Sequence, residues 1–207
     1  MMSVKGTSRV PTADSTAVRP AYELLPVVTG AARAEAAALA EDTARQLAEQ
    51  CANHPTGQLV DLIRSQATVL GLYEDGVLAG CLVAHPNSDM RHWGAHGRGR
   101  GLCVSLIPPV PGRNEQSGRL LTLWLADHAA RNGLEWVWWE IPATVTSTKG
   151  TTLLNALRDL GWDGLPAVRS TAGEHVVRLR LRAELRGALP AVISAPDTAL
   201  PRPVVST

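Results

Sequence analysis

The stretch that decides the fold lies in the middle of the chain and reads Val110-Pro111-Gly112-Arg113-Asn114-Glu115-Gln116-Ser117-Gly118-Arg119-Leu120-Leu121. An apolar, strand-like run at 102–107 precedes it, and apolar residues at helical spacing follow it over 117–132. The sequence therefore predicts a strand, a polar turn and a helix that opens at Ser117 or Gly118. Taken alone, such a stretch is most often an ordinary strand-to-helix turn. The alternative is an anion site, because the first helical turn has free N–H groups and the positive end of the helix dipole.

Two common phosphate-binding motifs are absent from this stretch. It has no G-x-G-x-x-G pattern, which dinucleotide-binding turns carry, and no Gly-Lys-Ser/Thr, which a Walker loop carries. If the turn binds a phosphate group, it does so with another pattern.

The elements on either side of the stretch alternate between helical and strand periodicity. Helices are predicted at 31–52, 57–66, 117–132 and 151–160, and strands at 22–28, 68–73, 77–84, 102–107, 136–141, 162–169 and 175–182. Pro26 places the first strand at a sheet edge, and Asp75-Gly76 predicts a tight hairpin. In the last strand Val177, Leu179 and Leu181 alternate with arginines, which indicates one buried and one solvated face. The order predicts an α/β protein with helices on both faces of a central mixed sheet.

The length and composition indicate one soluble domain with two tails. The chain has 207 residues, of which 45% are hydrophobic and 19% charged. Residues 1–19 and the Pro-rich 188–207 are predicted as disordered tails, which leaves a domain at 20–187. The net charge of +1 gives no indication of a nucleic-acid or membrane partner. Without a secretory signal or a membrane-length apolar run, a cytoplasmic protein is the default expectation.

Cysteine and histidine spacing does not predict a metal site or a disulfide framework. Cys51, Cys81 and Cys103 are far apart and odd in number. His92 and His96 have helical i, i+4 spacing, but the glycines around them argue against a helix. We therefore expect no metal.

Three motifs together resemble the GCN5-related N-acetyltransferase (GNAT) family. The family carries Q/R-x-x-G-x-G/A between its fourth strand and third helix; Arg113 and Gly118 match, and Gln116 stands at the first glycine. The hairpin at 72–80 resembles the family's second and third strands. Leu157-Arg158-Asp159-Leu160-Gly161-Trp162 resembles a late Y-x-x-L-G-F element. Each motif is weakly specific, but all three lie in the family's order, and the order of elements agrees over 22–182.

The resemblance implies a fold, a co-substrate and an activity. The fold is a mixed, mostly antiparallel sheet flanked by helices and splayed between strands 4 and 5. The activity is transfer of an acetyl group from acetyl-CoA to an amine of a small molecule or protein, without a metal and often in a homodimer. The acceptor would bind among the early helices and the loop at 86–100. The implied CoA contacts are Leu106 and Ile107 for pantetheine, and Arg113, Asn114, Glu115, Gln116, Ser117 and Gly118 for the pyrophosphate.

Two departures from the family leave the activity open. Leu157 stands where a tyrosine often protonates the leaving thiolate, and Gly150 stands where an asparagine is frequent. A non-catalytic acyl-CoA-binding regulatory module and a partner-binding protein therefore stay as alternatives. If the chain is an enzyme, Glu140 at the end of the fifth strand is the candidate base, although a surface or ion-paired carboxylate is the more ordinary reading. Ser105 is a candidate for orienting a water.

Overall fold

The structure is a computed structural model that describes residues 20–50, 57–65, 68–85, 88, 90–108, 115–143, 150–170, 173–196 and 200. Its strands are β1 (Tyr22–Pro26), β2 (Thr68–Glu74), β3 (Val77–His85), β4 (Gly101–Leu106), β5 (Trp136–Pro142), β6 (Trp162–Arg169), β7 (His175–Arg182) and β8 (Ile193–Ser194). Its α-helices are α1 (Gly30–Gln50), α2 (Gly57–Arg64), α3 (Glu115–Arg131) and α4 (Gly150–Asp159). Among its described residues the structure also has the 3₁₀ helices η1 (Arg91–Gly97) and η2 (Leu189–Ala191).

All eight strands form one sheet in the order β6-β7-β5-β4-β3-β2-β1-β8. The β4–β5 and β1–β8 pairs are parallel, and the other neighbours are antiparallel. The predicted Asp75-Gly76 hairpin is present between β2 and β3, with both residues at positive φ, 50° and 81°. The mixed, mostly antiparallel α/β sheet is thus confirmed.

Two apolar clusters cover the two faces of this sheet. On the first face, which we call the α3 face, Leu102, Val104 and Leu106 of β4 pack in one cluster with residues of α3 and α4. On the opposite face, the α1 face, Val83 of β3 packs with residues of α1 and α2. Because side chains alternate along a strand, Ser105 of β4 lies on the α1 face.

Gly80 of β3 allows α3 to approach the sheet closely. A Cβ atom at this position would lie 3.2 Å from Leu121 Cδ1 and 3.3 Å from Ser117 Cβ. The first turn of α3 is therefore held directly against β3, beside the end of β4.

The parallel pair β4–β5 is short, and its strands part before either of them ends. Pairing runs from Gly101 opposite Trp136 to Val104 opposite Trp139. Beyond it β4 continues to Leu106, and β5 continues to Pro142, still paired with β7. The predicted splay between strands 4 and 5 is thus present.

The C-terminal segment corrects two of the predictions. Part of the stretch 188–207, predicted as a disordered tail from its prolines, folds as η2 and β8. Its apolar residues Leu189, Ile193 and Leu200 are buried in the core cluster of the α3 face, which composition alone does not reveal. Since β8 pairs with Tyr22 and Glu23, β1 is not the outermost strand there, contrary to the edge position predicted from Pro26.

The alternation in β7 is also only partly as predicted. Arg180 is partly buried and Arg182 is exposed, but Arg178 is only 6% exposed, although it belongs to the face predicted to be solvated. The reason is that η1 covers this part of the α1 face: Arg178 donates to the carbonyl oxygen of Trp93 in η1.

Among the described residues, no helix is long and apolar enough to span a membrane.

Candidate functional site

A cavity of about 80 Å³ lies where β4 and β5 part. Its walls come from α1, α2, the ends of β4 and β5, and Leu153 of α4. A buried water needs about 10–15 Å³ on this measure, so the cavity has room for a group of several heavy atoms. The acceptor site implied by the resemblance was placed partly at 31–66, and α1 and α2 do line this cavity.

The backbone of Leu106 faces the gap between the two strands. The N–H of Ile107 donates to the carbonyl oxygen of Cys81 on β3, at 3.4 Å. Since backbone groups alternate in direction along a strand, the N–H and C=O of Leu106 point away from β3, toward β5. The β4–β5 pairing has already ended at Val104, so these groups lie beyond the ladder. Of the two residues predicted to pair with pantetheine, only Leu106 thus presents its backbone to the gap; Ile107 presents its side chain to the cavity.

Glu140 lies on the opposite wall of the gap and forms a hydrogen bond with His92 of η1. Their side chains are 24% and 17% exposed. A carboxylate accepts hydrogen bonds, so His92 Nε2 carries the hydrogen and donates it to Glu140 Oε1. Sequence reasoning considered His92 only as a metal ligand. No sequence signal joins it to a glutamate 48 residues away; only its position in a loop expected near the acceptor singled it out.

The helix η1, which carries His92, is anchored to the sheet by an aromatic and cationic cluster. Trp93 is 1% exposed and lies 6.1 Å from the Trp138 ring, between centroids. Arg178 Nη1 donates to the carbonyl oxygen of Trp93 at 3.1 Å, and its guanidinium lies 5.6 Å from the Trp93 ring centroid. Arg178 is directly opposite Glu140 across the β5–β7 pair, so the residue that holds η1 lies next to the residue that His92 of η1 contacts.

Ser105 contributes a hydroxyl to the cavity wall, next to Leu106. Its Oγ lies 2.9 Å from His85 Nε2, a neighbour on β3. Burial lowers the pKa of His85, so this imidazole is neutral at pH 7 and can accept a proton. The structure therefore places two polar pairs at the cavity, one on each of the parted strands.

Only the second part of the predicted pyrophosphate stretch lies among the residues that the structure describes. Glu115, Gln116, Ser117 and Gly118 form the first turn of α3, so the helix begins two residues before the predicted Ser117. Backbone N–H groups of a first helical turn have no partner within the helix. Arg113 and Asn114 lie outside the described residues.

Three further side chains limit the chemistry available here. Leu157 is 1% exposed and packs in the core, and an aliphatic side chain cannot protonate a thiolate. Burial raises the pKa of Cys81 to about 12 and that of Cys103 to about 11, so neither thiol is an activated nucleophile. Within the described ranges, no group of three or more His, Cys, Asp or Glu side chains could hold a metal ion.

The strand order, the parallel β4–β5 pair and its early parting beside the first turn of α3 decide the fold. The chain has the GNAT fold.

No protein-family model matches the chain, and no curated protein matches it. It is similar in structure to an N-acetyltransferase from Staphylococcus aureus, with 12% sequence identity and a TM-score of 0.48. The superposition covers 78% of this chain and 97% of the other. A spermidine N-acetyltransferase from Vibrio cholerae in complex with CoA and spermine gives 10% identity and a TM-score of 0.45, over 79% and 96% of the two chains. An N-acyl amino acid synthase from uncultured soil microbes gives 13% and 0.48, over 80% and 92%. At these identities the likeness concerns the fold.

Proposed function

We propose that the chain is an N-acetyltransferase that transfers the acetyl group of acetyl-CoA to an amine. One observation carries the proposal. The gap between β4 and β5 has on one wall the backbone of Leu106, which lies beyond the β4–β5 pairing, and on the other wall the carboxylate of Glu140. A hydrogen-bond donor for a thioester carbonyl and a proton acceptor for an amine thus face one cavity.

The co-substrate would lie along β4 with its pyrophosphate at the start of α3. Backbone N–H groups of Glu115, Gln116, Ser117 and Gly118, at the positive end of the α3 dipole, would bind the pyrophosphate together with Arg113 and Asn114. The carbonyl oxygen of Leu106 would accept a hydrogen bond from pantetheine, which would lie along β4 like an added strand, and Ile107 would contribute apolar contact.

The reaction needs a deprotonated amine and a polarised thioester carbonyl. Glu140, held by His92, would take the proton of the acceptor ammonium, and the amine nitrogen would then attack the acetyl carbonyl carbon. The N–H of Leu106 would stabilise the oxyanion that this attack forms. When the C–S bond then breaks, the nitrogen would lose its second proton to water and become the amide nitrogen. With Leu157 in the core, the thiolate of CoA would take its proton from water. No acyl-enzyme is needed, because the described cysteines are not activated.

The second candidate is a non-catalytic acyl-CoA-binding regulatory module. The observation in its favour is Leu157, a buried aliphatic side chain at the position where the resemblance implies an acid for the thiolate. Both candidates share the same co-substrate site, so they differ only in turnover.

We also propose the remaining partners and the location. The acceptor is an amine of a small molecule or peptide, and no nucleic acid or membrane takes part. We expect the protein to be cytoplasmic. A homodimer would agree with the family resemblance. The domain begins at about residue 20 and extends past the predicted end at 187, because Leu189, Ile193 and Leu200 belong to its core cluster.

A thiol-release assay and a calorimetric titration together test the proposal. The expected result is binding of acetyl-CoA, and release of free CoA that depends on an added amine. Binding without release over a panel of amines would favour the regulatory module. Absence of acetyl-CoA binding would overturn both candidates.

A further inference from the structure

The acceptor side of the cavity carries a single charge. Among the described lining residues, Glu140 is the only one that ionises. Most of the others are aliphatic or aromatic, with Ala40, Ala44 and Leu47 from α1, and Leu59 and Leu62 from α2. A cation that enters this cavity therefore meets one carboxylate and otherwise apolar surface.

The polar side chains in the lining add little further hydrogen-bonding capacity. Ser105 is bonded to His85, and Gln58 donates to Glu174 Oε2 at 2.8 Å. Glu174 itself is exposed to solvent, where water screens its charge. Thr43 adds one hydroxyl, 5% exposed as a residue. A ligand with several polar groups would leave most of them without partners inside the cavity.

From this lining we infer the class of the acceptor: a small primary monoamine with an apolar body. The inference rests on the proposed function, whose site it deepens. The ammonium group lies beside Glu140, where loss of its proton produces the nucleophile. The hydrocarbon body lies against the helix wall formed by Ala40, Ala44, Leu47, Leu59 and Leu62.

The physical reason for the selectivity is the cost of desolvating a second charge. Burying an unpaired ammonium against aliphatic side chains costs far more free energy than burying a methyl group gains. With one nitrogen at Glu140 and its carbon chain along the helix wall, a short diamine would place its second nitrogen against aliphatic side chains. Amino compounds with amide groups face a similar, smaller penalty, since their amides lose hydrogen bonds to water.

A matched pair of amines tests the class. Butylamine and putrescine have the same carbon chain and differ by one ammonium group; alanine amide supplies a polar body with one amine. In the thiol-release assay with acetyl-CoA, kcat/KM for butylamine should exceed that for each of the other two by at least about tenfold. Equal or faster turnover of putrescine or alanine amide would overturn the inferred class and leave the acetyltransferase in place. If none of the amines is acetylated although acetyl-CoA binds, the proposed function fails and the inference fails with it.

A charge placed in the helix wall provides the second arm of the test. Leu62→Glu adds a carboxylate at a partly buried position of α2, and Leu62→Gln is its uncharged control of the same shape. The ratio of kcat/KM for butylamine to that for putrescine should be at least about tenfold lower in L62E than in L62Q. A ratio does not depend on the amount of folded protein, so a modest loss of stability does not disturb the result. The same ratio in both variants would show that the amine does not lie along α2, against the inference.

Discussion

Replacing Glu140 by glutamine removes the proposed proton acceptor and almost nothing else. The amide oxygen of the introduced glutamine has the position and the lone pairs to keep accepting the hydrogen bond of His92, so the contact that joins η1 to β5 is retained. The cross-strand neighbour Arg178 keeps its own hydrogen bonds to the carbonyl oxygens of Trp93 and Pro166. The variant therefore separates the charge of this side chain from its structural contacts.

The expected loss of activity is large and the expected loss of stability is small. A positioned general base contributes about 10²–10⁴-fold, so kcat should fall in E140Q by a factor in that range, which is about 2.7–5.5 kcal/mol in the barrier. The Glu140–His92 pair is partly exposed, with side chains 24% and 17% accessible. After allowance for screening by solvent, its loss should change the free energy of unfolding by no more than about 1 kcal/mol.

Initial rates of CoA release and a thermal melt measure the two effects on the same samples. Asp163→Asn is the matched control, because it makes the same acid-to-amide change on β6, where Asp163 is 63% exposed and pairs with Arg180 outside the cavity. D163N should keep wild-type kcat. A kcat within about threefold of wild type in E140Q, with an unchanged melt, would refute the role of Glu140 as base.

Three other perturbations follow from the structure. Leu106→Pro removes the N–H that faces the gap, so kcat measured by thiol release should fall by about 10²–10³-fold. Its control, Ile107→Pro, breaks a hydrogen bond within the sheet and should instead lower the melting temperature. Burial lowers the pKa of both His85 and His128, so the unfolded chain binds protons more readily than the folded one; stability from this source is present above the unfolded pKa near 6.5 and is lost as pH falls through the folded pKa values. Urea unfolding at pH 7 and pH 5 should show this decline, and the double variant His85→Gln/His128→Gln should show less of it; an equal decline would contradict the assignment. Ile193→Ala should cost about 2–4 kcal/mol of unfolding free energy if β8 packs as described, whereas a negligible loss would mean that the segment does not contribute to the core.

The fold was predictable because its signals are local. The Asp75-Gly76 turn fixes the β2–β3 hairpin through two residues that tolerate positive φ. Helical spacing after residue 117 predicted α3, although the helix starts at Glu115. Boundaries of this kind shift by a residue or two, because the first turn has few side-chain constraints.

The site was harder to predict because its contacts join distant parts of the chain. His92 and Glu140 are 48 residues apart, and His85 and Ser105 are 20 apart. Neither pair has a spacing that a motif would show. The sequence leaves Glu140 open between a general base and an ordinary paired carboxylate. In the structure it does have a partner, His92, which no sequence spacing connects to it.

The C-terminal segment and Arg178 show how tertiary structure overrides composition. The prolines of 188–207 predicted disorder, yet Pro190 lies in the first turn of η2, where a missing N–H costs no helical hydrogen bond. Arg178 follows a pattern that predicts a solvated side chain, but η1 covers it and supplies a carbonyl acceptor. In both cases the deciding partner is far away in sequence, so no local window contains it.

The most direct test of the central claim is a crystal structure of the protein with acetyl-CoA. We expect the thioester to lie in the gap between β4 and β5, with its carbonyl oxygen within hydrogen-bond distance of the Leu106 N–H and the pyrophosphate at the first turn of α3. A cofactor bound elsewhere on the protein, or a gap that stays closed to it in crystals grown with excess acetyl-CoA, would contradict the proposed site.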